Sequence, residues 1–151
     1  MRSIIYFTVI VLLIGVTACQ KPSSNVAVES PVDSLVTIWA DNWNNHDSLA
    51  LRNMFDPNAV VFDNNLVIKN SEELMAKLIR PYYNIMSDMR IKKINEWLAS
   101  DRAGFSGIWS VNIFVRDTVA SLHTGAFTCI WEKSIHGEWK VTNAHISDFT
   151  D

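Results

Sequence analysis

Lysine and arginine are scarce and scattered in this chain: 13 against 16 acidic residues, a formal net charge of −3. No basic run or stripe occurs, which argues against nucleic acid as a partner and against electrostatic docking on a membrane. Cysteine is nearly absent, with only Cys19 and Cys129 in 151 residues, so a disulfide framework is excluded as the source of stability. Only five glycines and four prolines occur, and no low-complexity segment or internal repeat is visible. About 130 residues remain after the first eighteen, enough for one domain with its own core.

What the sequence has instead begins with an apolar leader. Arg2 precedes Ile4 to Ile14, a run too short to read as a spanning helix and suited to the centre of a signal peptide. The end of that segment, Val16-Thr17-Ala18-Cys19, resembles a bacterial lipoprotein lipobox. The resemblance implies cleavage after residue 18, a lipid on the Cys19 sulfur, and membrane attachment through the buried methylenes of its chains. The competing reading is an ordinary signal peptide with an incidental cysteine. Gln20 stands where an aspartate would favour inner-membrane retention, so in a diderm host the resemblance implies the outer membrane, facing the periplasm. Residues 19–30 are polar and lack an apolar period, as expected of a flexible tether. If Cys19 is acylated, Cys129 has no partner.

The domain is expected over residues 31–151. Val32, Val36, Trp39 and Trp43 recur at helical spacing and fall on one face. Ser30 is placed to cap that helix, with Pro31 at its first position and Asp33 where a capping box carries an acid. Asp47 can cap a second, shorter helix containing Leu51, Met54 and Phe55, which Asp56-Pro57 should end. Ala59-Val60-Val61-Phe62-Asp63 then reads as a strand closing on a carboxylate. Asn64-Asn65 suits a tight turn into Leu66-Val67-Ile68. A third helix opens at Asn70 or Ser71 with Glu72 and Glu73 in its first turn, and Pro81 should kink or divide it.

From residue 89 the pattern changes to four long β-prone runs: 89–100, 103–116, 119–134 and 138–149. Short turns at Asp101-Arg102, Asp117-Thr118 and His136-Gly137 separate them. Helices first and strands afterwards give an α+β domain, its helices packed on one face of a mostly antiparallel sheet. Alternation places His123, Gly125, Phe127, Cys129 and Trp131 on one side of the third run. The same rule places Trp139, Val141, Asn143, His145, Ser147 and Phe149 together on the last. Two of the six tryptophans fall on the first helix and four on strands, so helix and sheet should enclose an aromatic-lined space.

Four blocks, Trp39 to Asp47, Met54 to Asp63, Gly125 to Trp131 and Gly137 to Ser147, resemble in order and spacing the nuclear transport factor 2-like superfamily. Within it they look like the SnoaL-like and ketosteroid isomerase-like branch. The resemblance spans roughly Val32 to Phe149 and implies a cone-shaped fold, a pocket between the first helices and a strongly curved sheet, and a homodimer through the sheet. It also implies a general base at Asp63. The branch's oxyanion tyrosine falls at Trp39 and its protonated aspartic acid at or near Cys129, so the electrophilic half of the isomerase is missing. An indole donates a hydrogen bond without the acidity of a phenol.

The expected function is the binding of a small, partly apolar molecule by a lipid-anchored cell-envelope protein. Asp63 and His145 are the candidate polar or catalytic groups, and Trp39, Trp43, Trp109, His123, Cys129 and Ser147 the candidate pocket wall. Two rivals stand beside it: an acid–base isomerase, dehydratase or cyclase using Asp63, and a dimeric interaction module with a vestigial pocket. Each candidate also has a plainer role. Asp63 can cap the Asn64-Asn65 turn, the histidines can be hydrogen-bonded core residues, and Cys129 can be an inert buried thiol. No cofactor is implied, and no pair among Asp63, His123 and His145 has metal-ligand spacing.

Overall fold

The computed structural model describes residues 30–116 and 118–149. The leader, the Cys19 lipidation site and nearly all of the tether lie outside the described residues. The first helix, α1 (Pro31–Asn44), starts where the sequence places it: the Ser30 hydroxyl accepts from the Val32 N–H and Pro31 follows at once. Asp33 does not complete a capping box, because its carboxylate instead pairs with Lys93 across the fold. The short helix α2 (Ser48–Asn53) is capped by Asp47, which accepts from Ala50 N–H at 2.8 Å.

Strand β1 (Phe55–Asp63) begins earlier than the sequence suggests. Phe55 belongs to it, and Pro57 lies inside it. Proline is tolerated there because the pairing with the neighbouring strand lapses between Phe55 and Val60, so no ladder bond needs its missing N–H. The turn at Asn64-Asn65 leads directly into β2 (Leu66–Ile68), with Asp63 opposite Leu66 and Asn64 at φ 49°. This is the left-handed backbone that asparagine accepts at low cost.

The third helical segment runs as α3 (Ser71–Leu74), a wide π turn (Met75–Ile79) and α4 (Arg80–Tyr82). Arg80 N–H reaches back five residues to the Met75 carbonyl. The widened turn absorbs the disruption expected at Pro81 and turns the consecutive residues Leu78 and Ile79 both inward.

Four long strands follow: β3 (Met86–Leu98), β4 (Arg102–Val115), β5 (Thr118–Lys133) and β6 (Trp139–Asp148). The six strands form one curved sheet in the order β2-β1-β6-β5-β4-β3. All neighbours are antiparallel except β1 and β6, which run parallel. The helices cover one face, and the core fills the space between. At its centre Trp39 packs against Phe55 and Phe127, with ring centroids 5.4 and 4.9 Å apart. Phe105 in turn stacks on Trp131.

Alternation along β5 holds as read: residues 125, 127, 129 and 131 are buried. Along β6 it fails. Ile130 pairs with Asn143 but Trp131 pairs with Val141, so Thr142 is an extra residue, a β-bulge. The parity flips at that point: Val141 is buried, and the next buried side chain is Ala144 rather than residue 143 or 145.

Candidate functional site

A cavity of about 240 Å³ lies between the helices and the sheet. Helix α1 contributes Trp39 and Trp43 to its wall, the π turn Leu78, β4 Trp109, and β5 Phe127. Residues 39 and 43 lie one turn apart on α1, and residues 109 and 127 fall at buried positions of their strands. The Trp109 indole N–H is fixed by the Ala126 carbonyl at 3.2 Å. Its ring lies against Gly125, where an added Cβ would meet the indole at 2.6 Å and collide with the Ser147 carbonyl. Gly125 is what lets Trp109 and β6 approach this closely.

The rim of the cavity is acidic. Strands β1 and β6 run parallel and both end in an apolar-x-aspartate step, Val61-Phe62-Asp63 and Ile146-Ser147-Asp148. Their carboxylates therefore emerge at the same end of the sheet, and both line the cavity. Asn64 ties them together. Its Nδ2 donates to Asp63 Oδ1 at 3.4 Å and to Asp148 Oδ2 at 3.1 Å, its Oδ1 accepts from Asp148 N–H at 2.9 Å, and its own N–H donates to the Ile146 carbonyl at 2.9 Å. Among the described residues neither carboxylate has an ion-pair partner, and no lysine or arginine lines the cavity. The Asp63 pKa is pushed up from the usual carboxylate value, first by burial and then by the negative charge of Asp148.

Five candidates from the sequence thus converge on the cavity: Asp63, Trp39, Trp43, Trp109 and His123. His123 lies near the opening, exposed, with Nε2 2.9 Å from the Ser121 hydroxyl. Three do not reach it. The extra residue at Thr142 turns His145 and Ser147 to the opposite face of the sheet, where His145 is exposed and its ring meets Phe62 edge-on at 6.5 Å. Cys129 is fully buried in the core, off the cavity wall. Burial pushes its thiol pKa well up, so it is held as the unreactive thiol. Cys19 lies outside the described residues.

Asp148 and Asn64 were missed by sequence reasoning. The signal was present in Asp148: the same apolar-x-Asp closure that singled out Asp63 recurs at the end of the last strand. Reading β6 as an unbroken alternation put residue 148 on the wrong face. Among the described residues no group of three or more histidine, cysteine or acidic side chains is placed to hold a metal ion.

No family model and no curated protein matches the sequence. Solved structures do match in shape. A protein of the calcium/calmodulin dependent protein kinase II association domain type from Xanthomonas campestris superposes with a TM-score of 0.70 at 18% identity, covering 80% of this chain and 86% of its own. A ketosteroid isomerase-like protein from Erwinia carotovora atroseptica gives 0.67 at 14% identity, covering 85% of this chain and 99% of that one. A nuclear transport factor 2-like superfamily protein from Salmonella enterica gives 0.66 at 12% identity, covering 80% and 89%. At these identities the likeness is one of fold. The chain has the nuclear transport factor 2-like fold, an α+β domain with helices on one face of an open, mostly antiparallel sheet.

Proposed function

We propose that this nuclear transport factor 2-like domain binds a small, partly apolar molecule, in the manner of the SnoaL-like and ketosteroid isomerase-like branch of the fold. The observation that carries this reading is the cavity itself. It has aromatic and aliphatic walls and a few convergent polar groups at one end, the usual anatomy of a small-molecule site. An engineered apolar cavity of about 150 Å³ accepts benzene; one of about 240 Å³ accommodates a single ring carrying a short chain. Native mass spectrometry of the purified chain tests the reading by showing a retained ligand and its mass. If none is retained, and no compound of a broad metabolite panel raises the melting temperature, the reading fails.

The raised pKa of Asp63 favours a second reading, proton transfer by an isomerase or lyase, since a carboxylate short of counter-charge is a stronger base. There, Asp63→Asn abolishes turnover of the retained compound, and unchanged turnover excludes Asp63 as the base. The exposed face of the sheet supports self-association. From Gly104 to Phe114 on β4 and from Leu122 to Ile130 on β5 the outward residues include Ser106, Ile108, Thr124, Ala126 and Thr128, with no charged side chain among them. In this picture the domain is a homodimer held in the cell envelope by a lipid on Cys19, at the outer membrane of a diderm host and facing the periplasm. Cys19→Ala tests the anchor: the variant leaves the membrane fraction and loses the mass of the lipid.

A further inference from the structure

We infer that the guest of this cavity is an organic cation, a small amphipathic amine whose ammonium group sits between Asp63 and Asp148 while its apolar body lies against Trp39, Trp43 and Trp109. This rests on the small-molecule reading above and gives it a ligand class. The cavity is apolar nearly throughout; its acidic lining groups are Asp63 and Asp148, with His123 near the opening. Both strands that close the cavity deliver a carboxylate to its rim, and among the described residues no lysine or arginine lines it. The single side chain joining the two acids is a neutral amide, which donates from one nitrogen to both and leaves most of their lone pairs free. Two carboxylates on one apolar rim repel each other, and that repulsion is relieved by a positive charge from outside the chain. Burial and Asp148 both raise the Asp63 pKa, as expected where negative charge lacks a counter-ion.

The donor set selects the kind of cation. Among the described residues no three acidic, histidine or cysteine side chains cluster as a metal site requires. Three indoles, Trp39, Trp43 and Trp109, line the same cavity as the acids, and aromatic rings favour an ammonium group through their quadrupole and an apolar body through burial. A neutral guest of the same shape leaves the repulsion in place. An anionic guest adds a third negative charge.

The test uses three probes with one skeleton: 4-phenylbutylamine, 4-phenylbutan-1-ol and 4-phenylbutanoate. Each is titrated into the purified full chain at pH 7 and followed by tryptophan fluorescence and calorimetry. The amine is expected to bind at least about tenfold more tightly than the alcohol, a charge-assisted hydrogen-bond preference, and the carboxylate more weakly than either. Asp63→Asn and Asp148→Asn should each cut the amine affinity several-fold more than they change the alcohol's. Asp148 is exposed, so its variant keeps the comparison open should the half-buried Asp63 prove necessary for folding. If the alcohol or the carboxylate binds as tightly as the amine, or the amine preference survives both substitutions, the cation inference is overturned while the small-molecule reading stands. If none of the three binds, the cation inference is overturned, and the small-molecule reading is decided separately by the retained-ligand and melting tests given above.

Discussion

At the scale of single residues, Asp63 carries the most consequence. Its carboxyl holds a proton to higher pH in the folded chain than in the unfolded one. Ionising it therefore costs stability, and that cost sets in as pH rises from the ordinary carboxylate value through the raised one. Below this window both states are protonated and the cost is absent. Asp63→Asn is accordingly expected to be more stable than the parent at pH 7, with the advantage vanishing in acid. Since the side chain is only half-buried, solvent screening keeps the gain under about 1 kcal/mol. Thermal melts of both proteins across the acid range check the sign; equal melting temperatures at every pH would mean the carboxyl is unperturbed. Gly125 is the second residue of note. An added Cβ there strikes the Ser147 backbone and the Trp109 ring, so Gly125→Ala should cost about 1–3 kcal/mol, read as a lower urea midpoint together with a change in tryptophan fluorescence.

At the scale of elements, the joint between α1 and β3 decides how well the cavity is held. Asn44, at the end of α1, accepts from Met89 N–H at 2.6 Å and donates to the Met89 carbonyl at 3.1 Å. Both backbone groups sit just after Asp88, whose φ of 55° marks an irregularity in β3 where its pairing with β4 is interrupted. Met89 lines the cavity and is nearly buried. Asn44→Ala strips two backbone groups of their partners and should lower stability by about 1–3 kcal/mol, measured by urea denaturation. A smaller loss would show that water replaces the amide. This joint was not legible in the sequence, because an asparagine at a helix end looks like a cap until its distant partner is known. The start of α1, the Asp47 cap, the Asn64-Asn65 turn and the inward parity of β5 were legible, since each depends on neighbours within a few residues. The last strand was not. Val141-Thr142-Asn143 is equally compatible with regular and bulged strand, and only pairing with β5 and β1 reveals the extra residue. One inserted position exchanged His145 and Ser147 for Ile146 and Asp148 at the site.

At the scale of the whole molecule, the sheet has two differently employed faces. One is closed by helices around the cavity; the other presents an uncharged stretch of β4 and β5 to its surroundings. If two copies meet there about a two-fold axis, each residue near the axis faces its own counterpart. Thr128→Arg then sets like charges against each other and should shift the dimer toward monomer by at least about tenfold, with the melting temperature of the monomer little changed. Sedimentation at several concentrations checks this. A parent chain that is already monomeric at high concentration removes the dimer from the picture.

The parallel seam between β1 and β6 has one more consequence. Two backbone amides, those of Asn64 and Asp148, are engaged at the rim by the Ile146 carbonyl and the Asn64 side chain. They exchange with solvent only when that rim opens, and a guest lodged between the acids makes opening rarer in proportion to its occupancy. Deuterium uptake at these two positions is therefore a built-in gauge of whether the hollow is filled, readable before the chemical nature of its contents is known.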